Sequence, residues 1–324
     1  MTPPAETRRI TVHIGHAKVG SSAIQQFLQD NGAALGGRGF AVLNSALRFC
    51  AGDVADVPVS AFHALYEAGD TGAALTRAVA AAPADHHLLV SAENLSNAGR
   101  ERPFRDLPES VRLRVVFYVR RRDDFLISAW KQWGLKQGQQ LPAYVALRLK
   151  TGDGLGYRRA IERWQALPNV DEVLVRPLHR SALEGGDLIQ DYASVLGLTD
   201  LESMTHPGRV NVSFDYELLC GLARLPDLFD GLHDNRLFQQ LEASGLGRAA
   251  PGARDPLGRA LRRRIQARYE AEARWLHAHW FPHLDFDALF TAMPDSAAED
   301  SWTVTPAASL KKAAQVLGAL ALRD

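Results

Sequence analysis

Cysteine is almost missing from this chain: Cys50 and Cys220 are the only two in 324 residues. No C-x-x-C pair exists, which excludes a cysteine zinc site, and a disulfide framework is not expected. Net charge is missing as well, since 37 Lys and Arg balance 37 Asp and Glu. A general nucleic-acid binder usually carries a basic surplus, so nucleic acid is not an expected partner. Any anionic ligand has to be held by a local cluster. There is no run of about 18 uncharged apolar residues, so no membrane span is expected. The first ten residues, MTPPAETRRI, lack the apolar core of a signal peptide. A cytoplasmic protein is the resulting expectation. Internal repeats and long low-complexity tracts are absent too.

What is there supports a sizeable core. Hydrophobic residues make up 46%, too many for a disordered chain. The length suits a large α/β domain with helical additions. The most informative stretch is residues 10–30, ITVHIGHAKVGSSAIQQFLQD. Ile10, Val12 and Ile14 alternate with Thr11 and His13, the pattern of a strand. Gly15 and Gly20 bracket a loop holding Lys18. Ser21 and Ser22 offer cap-type hydroxyls, and Ala23, Ile24, Phe27 and Leu28 share one helical face. A helix start with free N–H groups, a lysine and hydroxyls is an anion site, most naturally for phosphate. It is not a Walker A motif, which needs lysine directly after the second glycine. Here Lys18 precedes Gly20 by two.

Further along, residues 87–90 form a short apolar strand that places Glu93 just past its C-terminal end, the edge where open α/β sheets bind ligands. Residues 61–82 are alanine-rich and helical, broken near 69–72 and ended by Pro83. The run VVFYV at 115–119 is apolar on both faces and so central in a sheet. It leads into Arg120, Arg121, Arg122, Asp123 and Asp124, with Asp123 or Asp124 able to cap a helix that carries Ser128. Guanidinium and hydroxyl together grip phosphate; without a ligand, the same arginines would simply be balanced by Asp123 and Asp124. Trp130, Trp133, Tyr157 and Trp164 make either core or an acceptor wall, with core the commoner outcome. A strand at 172–175 ends at Arg176, which either meets ligand or forms an ion pair. Helices follow at about 186–196, 215–223, 254–281 and 310–322. The charges of the 254–281 helix read as a solvated face. His277, His279 and His283 lack an acidic or cysteine ligand at metal spacing, so no metal is expected there.

Two of these motifs share a family resemblance. The order G-x-x-K-x-G-S-S from Gly15 to Ser22 resembles the 5′-phosphosulfate loop of sulfotransferases that use 3′-phosphoadenosine 5′-phosphosulfate (PAPS). Arg120 at a strand end with Ser128 eight positions later resembles the same family's 3′-phosphate motif. The resemblance covers roughly residues 10–215. It implies a P-loop-like parallel sheet flanked by helices, in one α/β domain with a core of about 8–215 and a helical extension of about 216–324. It further implies that Lys18, Val19, Gly20, Ser21 and Ser22 cradle the 5′-phosphosulfate, and that Arg120, Ser128 and Arg209 bind the 3′-phosphate. PAPS would be co-substrate, adenosine 3′,5′-bisphosphate the product, and no metal would be needed. Lys18 would stabilise the breaking S–O bond, as charge is stabilised in phosphoryl transfer. Where animal cytosolic members place a histidine base, this chain has Ser91-Ala92-Glu93, so Glu93 is the candidate base, with His16 second and His63, His86 and His87 weaker. The acceptor, a glycan or small molecule with a hydroxyl or amine, is not legible. Two other readings stay open: a P-loop small-molecule kinase using Mg-ATP, and a non-catalytic nucleotide- or glycan-binding protein.

Overall fold

The apolar runs of the first half become strands and the segments between them helices. The computed structural model describes residues 7–323 apart from 17, 45, 50–59, 153, 155 and 208–212. In chain order its main elements are β1 (Arg8–Gly15), α1 (Ser21–Asp30), α2 (Gly32–Gly36), β2 (Phe40–Val42), α3 (Ser60–Glu67), α4 (Thr71–Ala81), β3 (His87–Glu93), β4 (Val111–Val119) and α5 (Arg122–Ala129). Then come α6 (Leu141–Thr151), α7 (Tyr157–Gln165), β5 (Val170–Pro177), α8 (Leu188–Val195), α9 (Tyr216–Leu222), α10 (Arg236–Ser244), α11 (Arg259–Trp280) and α12 (Pro306–Ala321). They fall into two compact units. One comprises Met1–Arg120, Gly156–Gly208 and Trp275–Leu284, the other Arg121–Leu155, Arg209–Arg274 and Asp285–Asp324.

The first unit holds a five-stranded sheet in the order β2-β3-β1-β4-β5, and every pairing is parallel. This is the expected α/β fold. Helices cover both faces, as β4 shows. Phe117 and Tyr118 are adjacent and so point to opposite sides. Phe117 meets the Tyr157 ring of α7, while the Tyr118 hydroxyl donates to Asp191 of α8 at 2.7 Å. Residues 115–119 are all buried, as a strand covered on both faces requires.

The alternation in β1 suggests one wet face, and here the structure differs. Thr11 and His13 are as buried as Ile10 and Val12. Each is matched across to β3: Thr11 Oγ1 with His87 Nε2 at 2.9 Å, and His13 Nδ1 with Ser91 Oγ at 2.8 Å. Helices on both faces of a parallel sheet leave no wet side, so the polar positions pair with each other.

The second unit is helical in its described part. Trp130 and Tyr216 in its core and the half-buried Trp302 form a run of ring contacts. Its charged centre is Arg262, which is 1% exposed. Its Nη1 lies 2.6 Å from Asp123 and 3.3 Å from Asp124, and its Nη2 lies 2.7 Å from Asp255. The solvated-face reading of the 254–281 charges therefore fails at Arg262, because Asp123 and Asp124 of α5, with Asp255 ahead of α11, draw it inward. No helix among the described residues is long and apolar enough to cross a membrane.

Candidate functional site

The site is built at the C-terminal edge of the sheet in the first unit, where β1, β3 and β4 end. β1 runs out at Gly15, paired with Glu93, the last residue of β3. Glu93 thus belongs to the strand itself rather than lying just beyond it, and it is half-buried. After Gly15 the chain turns through the loop and enters α1. A side chain on Gly15 would strike the Ser21 hydroxyl, its Cβ arriving within 2.5 Å. Gly20 is the N-cap of α1 with φ 90°, and a Cβ there would lie 2.2 Å from Leu188 at the start of α8. Glycine is needed at Gly20 for its conformation and for its space.

Ser21 and Ser22 do not cap α1 as their position suggests. Gly20 holds the N-cap, and its carbonyl accepts from both Ala23 N and Ile24 N. The Ser21 hydroxyl instead donates back to the His16 carbonyl at 3.0 Å, which closes the loop on itself. Ser22 is exposed, while Val19 is fully buried and anchors the loop in the core under it. The N–H groups of a helix's first turn lack intrahelical acceptors and carry its positive pole. At α1 that pole faces the loop.

Lys18 sits in this loop with φ 63°, in the left-handed region. Asn94, directly after Glu93, also has positive φ, at 73°. Such conformations cost a non-glycine residue energy and cluster at functional sites. Burial lowers the pKa of the Lys18 ammonium below its ordinary value; Glu93 opposes that effect and Arg120 adds to it. Both groups are thus within electrostatic reach of Lys18. Arg120 follows the end of β4, and its Nη1 donates to the Lys18 carbonyl at 3.1 Å.

The three consecutive arginines meet different fates. Arg121 forms a two-pronged pair with Asp123, both contacts at 2.7 Å. Arg122 pairs with Glu272 and lies over the Tyr269 ring. Among the described residues no carboxylate pairs with Arg120. Of its five N–H donors, one meets the Lys18 carbonyl through Nη1, and its remaining anion-binding capacity stays at the site. Chemically, the unit assembles two cations, a helix N-terminus and a carboxylate at one sheet edge. That suits an anion and a nearby proton transfer.

No protein-family model, curated protein or solved structure matches the chain. The site has to be judged on its own geometry.

Lys18, Val19, Gly20, Ser21, Glu93 and Arg120 are brought together in the first unit, with Ser22 on the first turn of α1. Ser128 is a half-buried residue of α5, in the second unit, and Arg209 lies outside the described residues. Arg176 is not at the site in a binding role. Its Nε donates to the fully buried Asp191 at 3.0 Å and its Nη2 meets the other oxygen, so the ion-pair alternative holds. Trp130, Tyr157 and Trp164 are core, each 1% exposed or less. His277 bonds the Leu284 carbonyl and His279 the Trp275 carbonyl. Among the described residues no group of three or more metal-binding side chains forms.

The candidate bases separate by setting. His63 is exposed beside Glu67, His86 pairs with Asp85, and His87 bonds Thr11, its pKa lowered by burial to about 4. His16 remains near the site, its ring edge-on to Tyr157 at 6.4 Å. Sequence reasoning names Tyr157 only as core or acceptor wall and misses its hydroxyl, which holds both backbone groups of Arg120. Nothing local marks that role, since it depends on Arg120, 37 positions away.

Proposed function

We propose that the chain is a PAPS-dependent sulfotransferase. One observation carries the reading: Lys18 and Arg120 meet, with the Arg120 guanidinium on the Lys18 carbonyl and no carboxylate partner for it among the described residues. A lysine loop and a strand-end arginine that converge beside a helix N-terminus suit a ligand with two anionic groups. In this reading the loop and the Ser21 and Ser22 amides hold the 5′-phosphosulfate. Arg120 holds the 3′-phosphate. An acceptor hydroxyl or amine, on a glycan or small molecule, attacks sulfur. The bond from sulfur to the 5′-phosphate oxygen breaks, Lys18 stabilises the charge left on that oxygen, and Glu93 takes the acceptor proton. The half-buried Glu93 beside Lys18 supports that role. The reading also places the reaction in the cytoplasm, where isolated cysteines stay reduced.

Calorimetric titration tests it. Adenosine 3′,5′-bisphosphate, ATP, and ATP with Mg²⁺ are each added to the purified protein. The expected result is tight binding of the bisphosphate alone, without metal. A preference for Mg-ATP would overturn the proposal in favour of a phosphotransferase.

A further inference from the structure

We infer that Tyr157 is a positioning residue of the Lys18–Arg120 site, its hydroxyl holding the Arg120 backbone so that the guanidinium reaches the loop. The inference rests on reading that site as the seat of the donor nucleotide.

The argument starts where the sheet stops. Pairing of β4 with β1 ends at Val116, and pairing with β5 ends at Val119 opposite Pro177. Leu178 N–H still reaches the Val119 carbonyl at 2.7 Å. Arg120 is the next residue, and no strand continues the ladder beside it. A partly buried peptide group in that position needs another partner. The Tyr157 hydroxyl serves on both sides. It accepts from Arg120 N–H at 3.2 Å and donates its own proton to the Arg120 carbonyl at 3.2 Å. One hydroxyl thereby fixes the direction in which the chain leaves β4, and with it the root of the Arg120 side chain.

The ring is held independently of the hydroxyl. Tyr157 is 1% exposed and opens α7. Its ring meets Phe117 edge-on at 5.7 Å and His16 edge-on at 6.4 Å. The contacts close a circuit. Tyr157 touches the loop through His16 and the strand end through Arg120, and the Arg120 guanidinium returns to the loop at Lys18. Both anion-binding halves are thus tied to one buried side chain before any ligand arrives. Such preorganisation lowers the ordering cost of binding.

Tyr157→Phe separates the hydroxyl from the ring, because the packing stays. Three measurements decide the inference: calorimetric titration with adenosine 3′,5′-bisphosphate, the thermal midpoint without nucleotide, and hydrogen exchange of the Arg120 amide by NMR. The variant should bind the bisphosphate about 5- to 20-fold more weakly, while its midpoint falls by only about a few degrees. Its Arg120 amide should exchange about 10-fold faster or more. On an Arg120→Ala background the same substitution should cost no further affinity, since the two act through one group. Wild-type affinity in Tyr157→Phe, or losses that add fully in the double variant, would overturn the inference. If the unaltered protein binds no bisphosphate, the functional reading fails on its own. The exchange measurement then still decides whether Tyr157 holds Arg120: faster exchange upholds it and an unchanged rate rejects it.

Discussion

Charged residues are concentrated in two regions, and they are handled in opposite ways. In the helical unit, Arg262 is enclosed by Asp123, Asp124 and Asp255, and Arg121 adds a second pair to Asp123. Burial alone would raise the pKa of the Asp123 carboxyl, yet Arg121 and Arg262 hold it below its ordinary value. Each charge of that cluster has a matched partner. At the sheet edge of the first unit, Glu93 supports the charge on Lys18 and Arg120 opposes it. Arg120 has a backbone carbonyl in place of an acid. A closed network of matched charges stabilises a fold, whereas a guanidinium resting on a carbonyl keeps donors suited to an anion. The difference separates a structural cluster from a binding site when both are rich in arginine.

Breaking the closed region should have the largest effect. Arg262→Ala leaves Asp123 and Asp255 facing each other without their shared cation. Loss of one partner from a buried charge network costs about 3–5 kcal/mol, which urea unfolding would read. A loss under about 1 kcal/mol would show that the network is solvated in solution. Breaking the open region should spare stability and cost affinity. Arg120→Ala is expected to weaken bisphosphate binding by on the order of 2–4 kcal/mol, measured by calorimetry; unchanged affinity would remove Arg120 from the site. Glu93→Gln sharpens the contrast within the site. Nucleotide should still bind, and turnover with labelled donor should fall about 100-fold. Retained turnover would shift the proton to His16 or another group.

A further effect is spread thinly over several pH units. Burial lowers the pKa of His13 from 6.5 to about 3. A histidine whose folded value is depressed contributes stability above its unfolded value. That stability is lost as pH falls from 6.5 toward 3, because the unfolded chain binds the extra proton. His13→Gln should therefore flatten the acid limb of stability against pH, by at most about 1.4 kcal/mol per pH unit. An unchanged slope would mean that His13 is not held neutral in the fold.

Much of the sheet unit is legible along the chain. β1, α1, β3 and β4 can be read from apolar periodicity, because burial of a strand or helix face is recorded residue by residue. The break between α3 and α4 near Gly69 can be read for the same reason. Other features cannot. His13 looks like the wet side of a strand until Ser91 is placed beside it from 78 positions away. Arg176 looks as available as Arg120 until Asp191 arrives from α8.

The residues themselves determined that a glycine-bracketed lysine would follow one strand and a run of arginines another, since these are matters of local order. The tertiary structure decided which of these arginines meets no carboxylate among the described residues. Glu272 lies 150 positions from Arg122, and Asp191, which takes Arg176, is brought in by a helix packing on the sheet. Strong ion pairing acts over a few ångströms of space, and neighbours at that range are chosen by folding rather than by order along the chain.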